Sequence, residues 1–340
     1  MRDRASRFGR REFLKLGGAA LVPSAWAVVA PRRAGAGPLP HVRFGVGSAI
    51  AYNPVYVAKE KGFFEEEGLD VEFLWAQAAP EVIQATIGGS AEGGVGGSFG
   101  LIAGVEKGAP VIAVAVYAYG GERIALAART DAGINSVKDL YGKKVGFQSG
   151  AIGQQMFTTM AQVEKLDMSK IDIVFLNNVD MAAAIGGKSI DAIVTWEPQP
   201  SLLEAKGLVR VIQRGGKYLK SPGCVMFGSE YIKKNGDTVR RFVKAHFRGC
   251  QFIRQNPREA SVINSKYVRG AVPEVLESSY KYLVFDPRVT KEMLGEFEAD
   301  MRFMLTQKKI TKPVEARLIA TPTFSDEIER QFPELVKDLK

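Results

Sequence analysis

HVRFGVGSAIAYNPVYVAKEKGFFEEEGLDVEFLW, residues 41–75, decides the architecture. His41–Val46 reads as a buried strand. Asn53 suits a helix N-cap and Pro54 the first helical position, so a helix opens there and runs to about Gly68. Residues 69–75 form a second strand, with Val71, Phe73 and Trp75 alternating. Strand, helix, strand is the repeating unit of a parallel sheet covered by helices.

The unit recurs downstream. Pro80 opens a helix that Gly88-Gly89 closes, and Gly93–Val95 forms a short strand. A helix follows around Phe99–Lys107, then the buried strand PVIAVAVYAY (residues 110–119). Residues 122–130, ERIALAART, form a strand with no helix before it, and the pattern restarts: strands at 143–147, 171–176 and 191–196 alternate with helices at 150–166, 181–188 and 201–207. CVMFGSEYI (224–232) runs back. From Asp237 the chain is helical, with Val239, Phe242, Val243, His246, Cys250 and Ile253 on one apolar stripe, and more helices follow. The halves echo each other. IGGSAEGGV (87–95) and IGGKSIDAIV (185–194) both run helix end, Gly-Gly, loop, acid, small residue, strand, and GVGSAI (45–50) resembles GFQSGAI (146–152). The reading is an α/β fold of two similar lobes, with the strands at 124–129 and 225–228 crossing between them.

The chain has 46 basic and 37 acidic residues, a net +9. Residues 1–36 hold eight of the basic and two of the acidic residues, so the remainder carries only +3. The high pI therefore belongs to the N-terminus and does not argue for nucleic acid, which needs a basic stripe on the folded domain. That N-terminus is basic, then uncharged from Leu16 to Ala30, then rich in small residues, which is the layout of a cleaved targeting segment. GRREFLKL (9–16) resembles the twin-arginine export signal, except that Gly9 stands where Ser or Thr is usual. Cleavage after AGA (34–36) suits the basic Arg32-Arg33 better than cleavage after AWA (25–27). Cys224 and Cys250 are read as two buried thiols.

Catalytic parts are scarce. His41 lies at the mature N-terminus and His246 on an apolar stripe, where a packed core histidine is expected. No His, Cys and carboxylate cluster has metal-ligand spacing, and no Gly-x-Ser-x-Gly elbow occurs. Gly45-Val46-Gly47 and Gly94-Val95-Gly96 fail as dinucleotide fingerprints at Ile50 and Phe99; GGKS (186–189) fails as a phosphate loop at Ala182. No cofactor is expected. What remains is a ligand site at the carboxyl ends of the strands, where loops meet helix N-termini. Those loops offer Ser48, Ala49, Tyr52, Asn53, Gln77, Ser98, Phe99, Tyr117, Ser149, Gly150, Ala151, Gln154, Trp196 and Glu197. Small hydroxyls, amides and aromatics suit a mostly apolar pocket with a few placed polar groups. Several have a structural alternative: capping for Ser48, Ser149 and above all Asn53, core packing for Phe99 and Tyr117, packing between lobes for Trp196.

NPVYVAKEKGFFEEEGLDVEF (53–73), DLYGKKVGFQSGA (139–151) and IDAIVTWEPQ (190–199) together resemble the periplasmic solute-binding proteins of ABC importers. The branch is the nitrate, sulfonate, taurine and thiamine-precursor (NMT1-like) group, and the resemblance covers about residues 41–330. It implies a type II periplasmic binding protein fold: lobe one from 40–123 plus 225–340, lobe two from 124–224, closing by a hinge motion on a small-molecule ligand. Ser48–Asn53, Gln77, Ser98, Ser149–Ala151 and Trp196–Glu197 would face that ligand. The partner implied is an ABC permease in the inner membrane, with no nucleic acid, and the protein itself a periplasmic monomer. Glu92 stands where the family usually has Asp. A sulfonate-, taurine- or nitrate-like anion would rest on the helix N-termini and use Arg123, unless that residue pairs with Glu122. A pyrimidine-like heterocycle would stack on Trp196 or a tyrosine and donate to Glu197. A ligand sensor and a pyrimidine-synthase-like enzyme are the readings of another class, the latter lacking its cysteine-rich iron motif here.

Overall fold

Residues 39–76, 79–268 and 270–339 are described in a computed structural model; the N-terminal stretch read as an export signal, and Gln77, lie outside them. Five strands make a first mixed sheet: β1 (His41–Val46), β2 (Asp70–Trp75), β3 (Gly93–Gly97), β4 (Val111–Val116) and, returning late in the chain, the strand Gly223–Gly228. Five more make a second: β5 (Ile124–Arg129), β6 (Lys144–Phe147), β7 (Asp172–Phe175), β8 (Ala192–Trp196) and β9 (Val209–Arg214). The returning strand is β10. The orders are β2-β1-β3-β10-β4 and β7-β6-β8-β5-β9; in each, four strands run the same way and the fourth in the order, β10 or β5, runs antiparallel to both its neighbours.

The two echoing loops occupy equivalent places in this pattern, each leading into the third parallel strand. Their acids do the same work. Glu92 accepts the Arg43 backbone N–H of β1 at 2.5 Å and pairs with the Arg43 guanidinium at 2.6 Å. Asp191 accepts the Lys144 backbone N–H of β6 at 2.9 Å. The glutamate at position 92 thus keeps the turn that an aspartate makes in the other half.

Period-two patterning fixes which side chains fill which layer. In β10, Val225 and Phe227 point to one face of the first sheet, where Phe44 and Phe242 meet Phe227 at ring separations of 5.5 and 5.1 Å; Cys224 and Met226 point to the other. Both cysteines are buried free thiols. The long helix Ser229–Gln255 lays the apolar stripe read from sequence on the first face and begins eight residues earlier than Asp237, with non-helical backbone at Asn235. His246 is fully buried and its Nε2 lies 2.8 Å from the Val116 carbonyl.

Four details depart from the sequence reading. The first helix is two, Asn53–Glu60 and Phe63–Glu66, because Gly62 adopts a left-handed φ of 71°. Asn53 is the first helical residue and caps nothing. Strand β9 was not expected: Arg210, Gln213 and Arg214 dilute its apolar alternation at a sheet edge. Fourth, β5 and β10 do not themselves cross. Each lies inside its own sheet, and the crossings are the segments just before them.

Those segments, 117–123 and 215–222, bond to each other. The Gly120 N–H donates to the Lys220 carbonyl at 2.8 Å, the Gly223 N–H to Ala118 at 2.9 Å and the Gly215 N–H to Ile124 at 2.9 Å. They approach so closely that a Cβ on Gly121 would sit 1.9 Å from the Leu219 carbonyl oxygen. Among the described residues no helix is long and apolar enough to cross a membrane.

Gly121→Ala is therefore expected to lower stability by about 3 kcal/mol in urea unfolding. Gly295→Ala, on an open face of the helix Lys291–Thr306, should raise it by about 0.5–1 kcal/mol. Burial pushes the His246 imidazole down to about 4. An unfolded histidine titrates near 6.5, so the stability from holding it neutral is present above that pH and is lost as pH falls toward 4. The stability advantage of wild type over His246→Gln should thus shrink by about 2 kcal/mol between pH 7 and 4.5, measured by unfolding at both values.

Candidate functional site

The carboxyl ends of the strands in both sheets, and the crossing segments between them, converge on one buried polar cluster. At its centre is Arg123, in the short turn that enters β5 and 8% exposed. Its Nη2 donates to the Ser221 hydroxyl at 2.5 Å and the Ser221 carbonyl at 3.2 Å, both on the opposite crossing segment. Its Nε has no partner, and among the described residues no carboxylate forms an ion pair with it. Glu122, the sequence neighbour weighed as its mate, is not that partner. Burial pulls the guanidinium pKa down; Tyr117, Tyr52 and Asp300 favour the charge. A guanidinium cannot be deprotonated in this range, so a buried cation stands here with hydrogen-bond capacity to spare.

Around it stand groups from both halves. Tyr52 and Tyr117 meet edge to face at 4.9 Å, with their hydroxyls close enough to interact. Burial raises both phenol pKa values, so both hydroxyls keep their protons. A Cβ on Gly223 would strike the Tyr117 ring at 1.9 Å, so glycine there makes room for it. Ser98, first residue of the helix Ser98–Glu106, donates to Asp300 Oδ2 at 2.5 Å. Gln155, in the first turn of the helix Ile152–Val163, donates from Nε2 to Asp300 Oδ1 at 2.8 Å, and its Oε1 has no partner. Asp300 is 1% exposed, and burial raises its carboxyl to about 6.

The remaining candidates divide. Ser48 donates to the Tyr267 carbonyl at 3.0 Å and Ser149 accepts from Lys309 at 3.2 Å; neither caps a helix. Ala49 and Ala151 are the N-cap residues instead. Gly150 has a φ of 70°, and its N–H donates to Gln154 Oε1 at 2.7 Å, which closes the loop ahead of the helix. Phe99 packs on Phe303 at 5.8 Å, the structural alternative for it; Trp196 packs against the core of the second sheet, not between the two halves as its structural alternative had it. Asn53 is fully buried, with Nδ2 on the Ala260 carbonyl and the Tyr280 hydroxyl, so it ties its helix to the C-terminal helices.

Glu197 is 1% exposed but already engaged. Oε1 accepts from Arg214 and from the Ser201 hydroxyl, each at 2.9 Å, and Oε2 from the Ser201 N–H and the Ser279 hydroxyl, each at 3.4 Å. It is neither a repelling free charge nor an open acceptor for a heterocycle. Arg214 in turn lies 3.3 Å from the Tyr282 ring centroid. Ser279, Tyr282, Asp300 and Lys309, all late in the chain, thus touch groups of the second sheet half. Two open recesses, of about 260 Å³ by Ser201 and Val275 and about 330 Å³ by Thr86 and Tyr231, lie outside the cluster. Among the described residues no group of His, Cys, Asp and Glu is placed to hold a metal ion.

Sequence reasoning missed Asp300, Gln155, Ser221 and Arg214. For Asp300 a signal existed. Met293, Phe297 and Met304 are the buried stripe of the helix Lys291–Thr306, and Asp300 sits on that same stripe. A carboxylate on an apolar stripe is seldom left without a task.

A profile of the family described as NMT1/THI5 like matches residues 50–260, more than half of the chain. A putative aliphatic sulfonates-binding protein of Bacillus subtilis is 23% identical over 84% of this chain and 87% of its own length. The putative binding protein YtlA of the same organism is 29% identical over 69% of this chain and 72% of its own. The crystal structure of the periplasmic aliphatic sulphonate binding protein SsuA from Escherichia coli superposes with a TM-score of 0.73 at 20% identity, covering 83% of this chain and 92% of that one. The two five-stranded sheets are thus those of a type II periplasmic binding protein, and the chain belongs to the NMT1/THI5-like family.

Proposed function

We propose that this chain is the solute-binding component of an ABC importer, which captures a small organic anion of the sulfonate kind and hands it to an inner-membrane permease. The observation that carries this reading is Arg123, a buried guanidinium with an unpartnered Nε and no carboxylate mate. Isolating one charge in low dielectric is costly, and an anionic ligand is the natural relief. The Tyr52–Tyr117 pair supplies a hydroxyl donor beside it. The names of the relatives point the same way. Arg214, Ser201 and Ser279 engage Glu197, the acceptor that the sequence reading offered to a pyrimidine.

In this reading the segment 40–123 plus 225–340 is one lobe and 124–224 the other, and closure brings Gln155 against Asp300, Ser149 against Lys309 and Glu197 against Ser279. Ligand contacts to both lobes hold the closed form. Ser48, Ala49, Ser149, Gly150 and Ala151 line the outer part of the cleft, and Tyr52, Ser98 and Tyr117 the inner part. The protein acts as a monomer in the periplasm after twin-arginine export, and it transforms nothing.

Thermal unfolding of the mature protein with ethanesulfonate, taurine, nitrate and an aminopyrimidine tests the ligand class. A ligand present at 100 times its dissociation constant stabilises by about 2.7 kcal/mol, and the expected response is to the sulfonates. A response to the aminopyrimidine alone would overturn the reading. Arg123→Gln should weaken sulfonate binding by roughly thirtyfold or more, the effect of removing a buried charge partner. For export, changing Arg10 and Arg11 to lysines in the full chain should leave the protein in the cytoplasm; unchanged periplasmic yield would sink the twin-arginine route.

A further inference from the structure

The cluster around Arg123 has two unlike poles. One is made of donors: the guanidinium Nε and the one hydroxyl hydrogen that the Tyr52–Tyr117 pair has to spare. The other is made of acceptors: the Asp300 carboxylate and Gln155 Oε1, on a residue only 6% exposed. The Gln155 amide is oriented by its bond to Asp300, since the flipped amide would set two oxygens face to face. So an acceptor with no hydrogen to accept lies beside a buried carboxylate that has lone pairs left over. A sulfonate has oxygens only. Seated on Arg123, it satisfies the donor pole and leaves the acceptor pole facing an anion.

We propose that Asp300, with Gln155, is a specificity determinant of this site: it selects organic monoanions that carry a hydroxyl or ammonium hydrogen of their own and disfavours anions that carry none. The inference rests on the reading of the site as one for organic anions. The donor-bearing ligand gives the acceptors their hydrogen. An anion without one must bind with a proton taken up from solvent by Asp300. The geometry accommodates that proton, because the Ser98 hydroxyl, 2.5 Å from Oδ2, can switch from donor to acceptor without moving.

The charged and titratable groups facing Asp300 are few. Glu296 on its own helix raises its pKa and Arg123 on the crossing segment lowers it. Cys224 on β10 feels Asp300, and burial keeps that thiol protonated. Ser98 and Gln155 are the neutral neighbours from the other two helices. Glu106, at the far end of the Ser98 helix, is bound to Thr311, and Arg317, on the short helix Ala316–Ile319, pairs with Glu315 at the surface. With a carboxyl that titrates at about 6, Asp300 changes charge within this cluster between pH 7.5 and 5.5.

The test compares 2-hydroxyethanesulfonate with ethanesulfonate, which differ by one hydroxyl, by titration calorimetry on the mature protein. At pH 7.5 the hydroxylated anion should bind at least about tenfold more tightly, the worth of a hydrogen bond to a charged acceptor. Ethanesulfonate binding should tighten roughly twentyfold from pH 7.5 to 5.5, as Asp300 gains its proton, while the hydroxylated anion changes little. In Asp300→Asn the preference should fall to within about threefold and the pH dependence should vanish. Equal binding of the two anions to wild type, or a preference and pH slope retained in Asp300→Asn, would overturn the proposal and leave the anion reading intact. If neither anion binds, the anion reading fails and this inference with it. Should the variant not fold, the wild-type comparison across pH decides alone.

Discussion

A guanidinium that leaves water without an anion beside it is among the costliest groups a fold can hold. Arg123 is such a group, and the inner architecture answers to it. Its anchor is Ser221, on the opposite crossing segment, so the bond that holds the charge also ties the two passes of the chain together. Tyr117 fits beside it, edge to face with Tyr52, only because residue 223 is a glycine. Asp300 lends its field without closing an ion pair. The arrangement keeps the cation charged yet leaves Nε unspent.

A second arginine shows the contrary solution. Arg214 is also nearly buried, but Glu197, the Glu122 carbonyl and the Tyr282 ring take up its charge. The contrast separates a structural cation from one with capacity left over. It also explains why Glu197, conspicuous next to a tryptophan at the end of a strand, belongs to the scaffold. Burial raises its pKa while Arg214 and Ser201 lower it, the signature of a carboxylate fixed in place by its neighbours.

Much of the fold was legible in sequence because its signals are local. Prolines at helix starts, Gly-Gly at helix ends and alternating Val and Phe in strands need no knowledge of distant residues. The echo between residues 87–95 and 185–194 matches the common strand order of the two sheets. What escaped was non-local. Strand β9 is an edge strand whose polar side chains mask its period. Asn53 looks like a cap in sequence and is a buried link to Tyr280, 227 positions away. The inner cluster joins residues from 52 to 300, and no window of sequence holds more than a few of them. Arg123 was visible as a candidate; its loneliness was not, since that depends on where every carboxylate goes.

The two crossing segments have a mechanical consequence. They are bonded to each other at Gly120–Lys220 and Ala118–Gly223 and pressed together at Gly121, and the Tyr119 N–H adds a bond to the Val284 carbonyl at 3.0 Å. Two separate threads would let the sheets slide, spin and swing independently. A stitched ribbon has far fewer degrees of freedom. It bends readily across its width and resists shear along its length. Bonds across the ribbon oppose sliding of one half past the other, and Arg123 is stitched into that ribbon through Ser221.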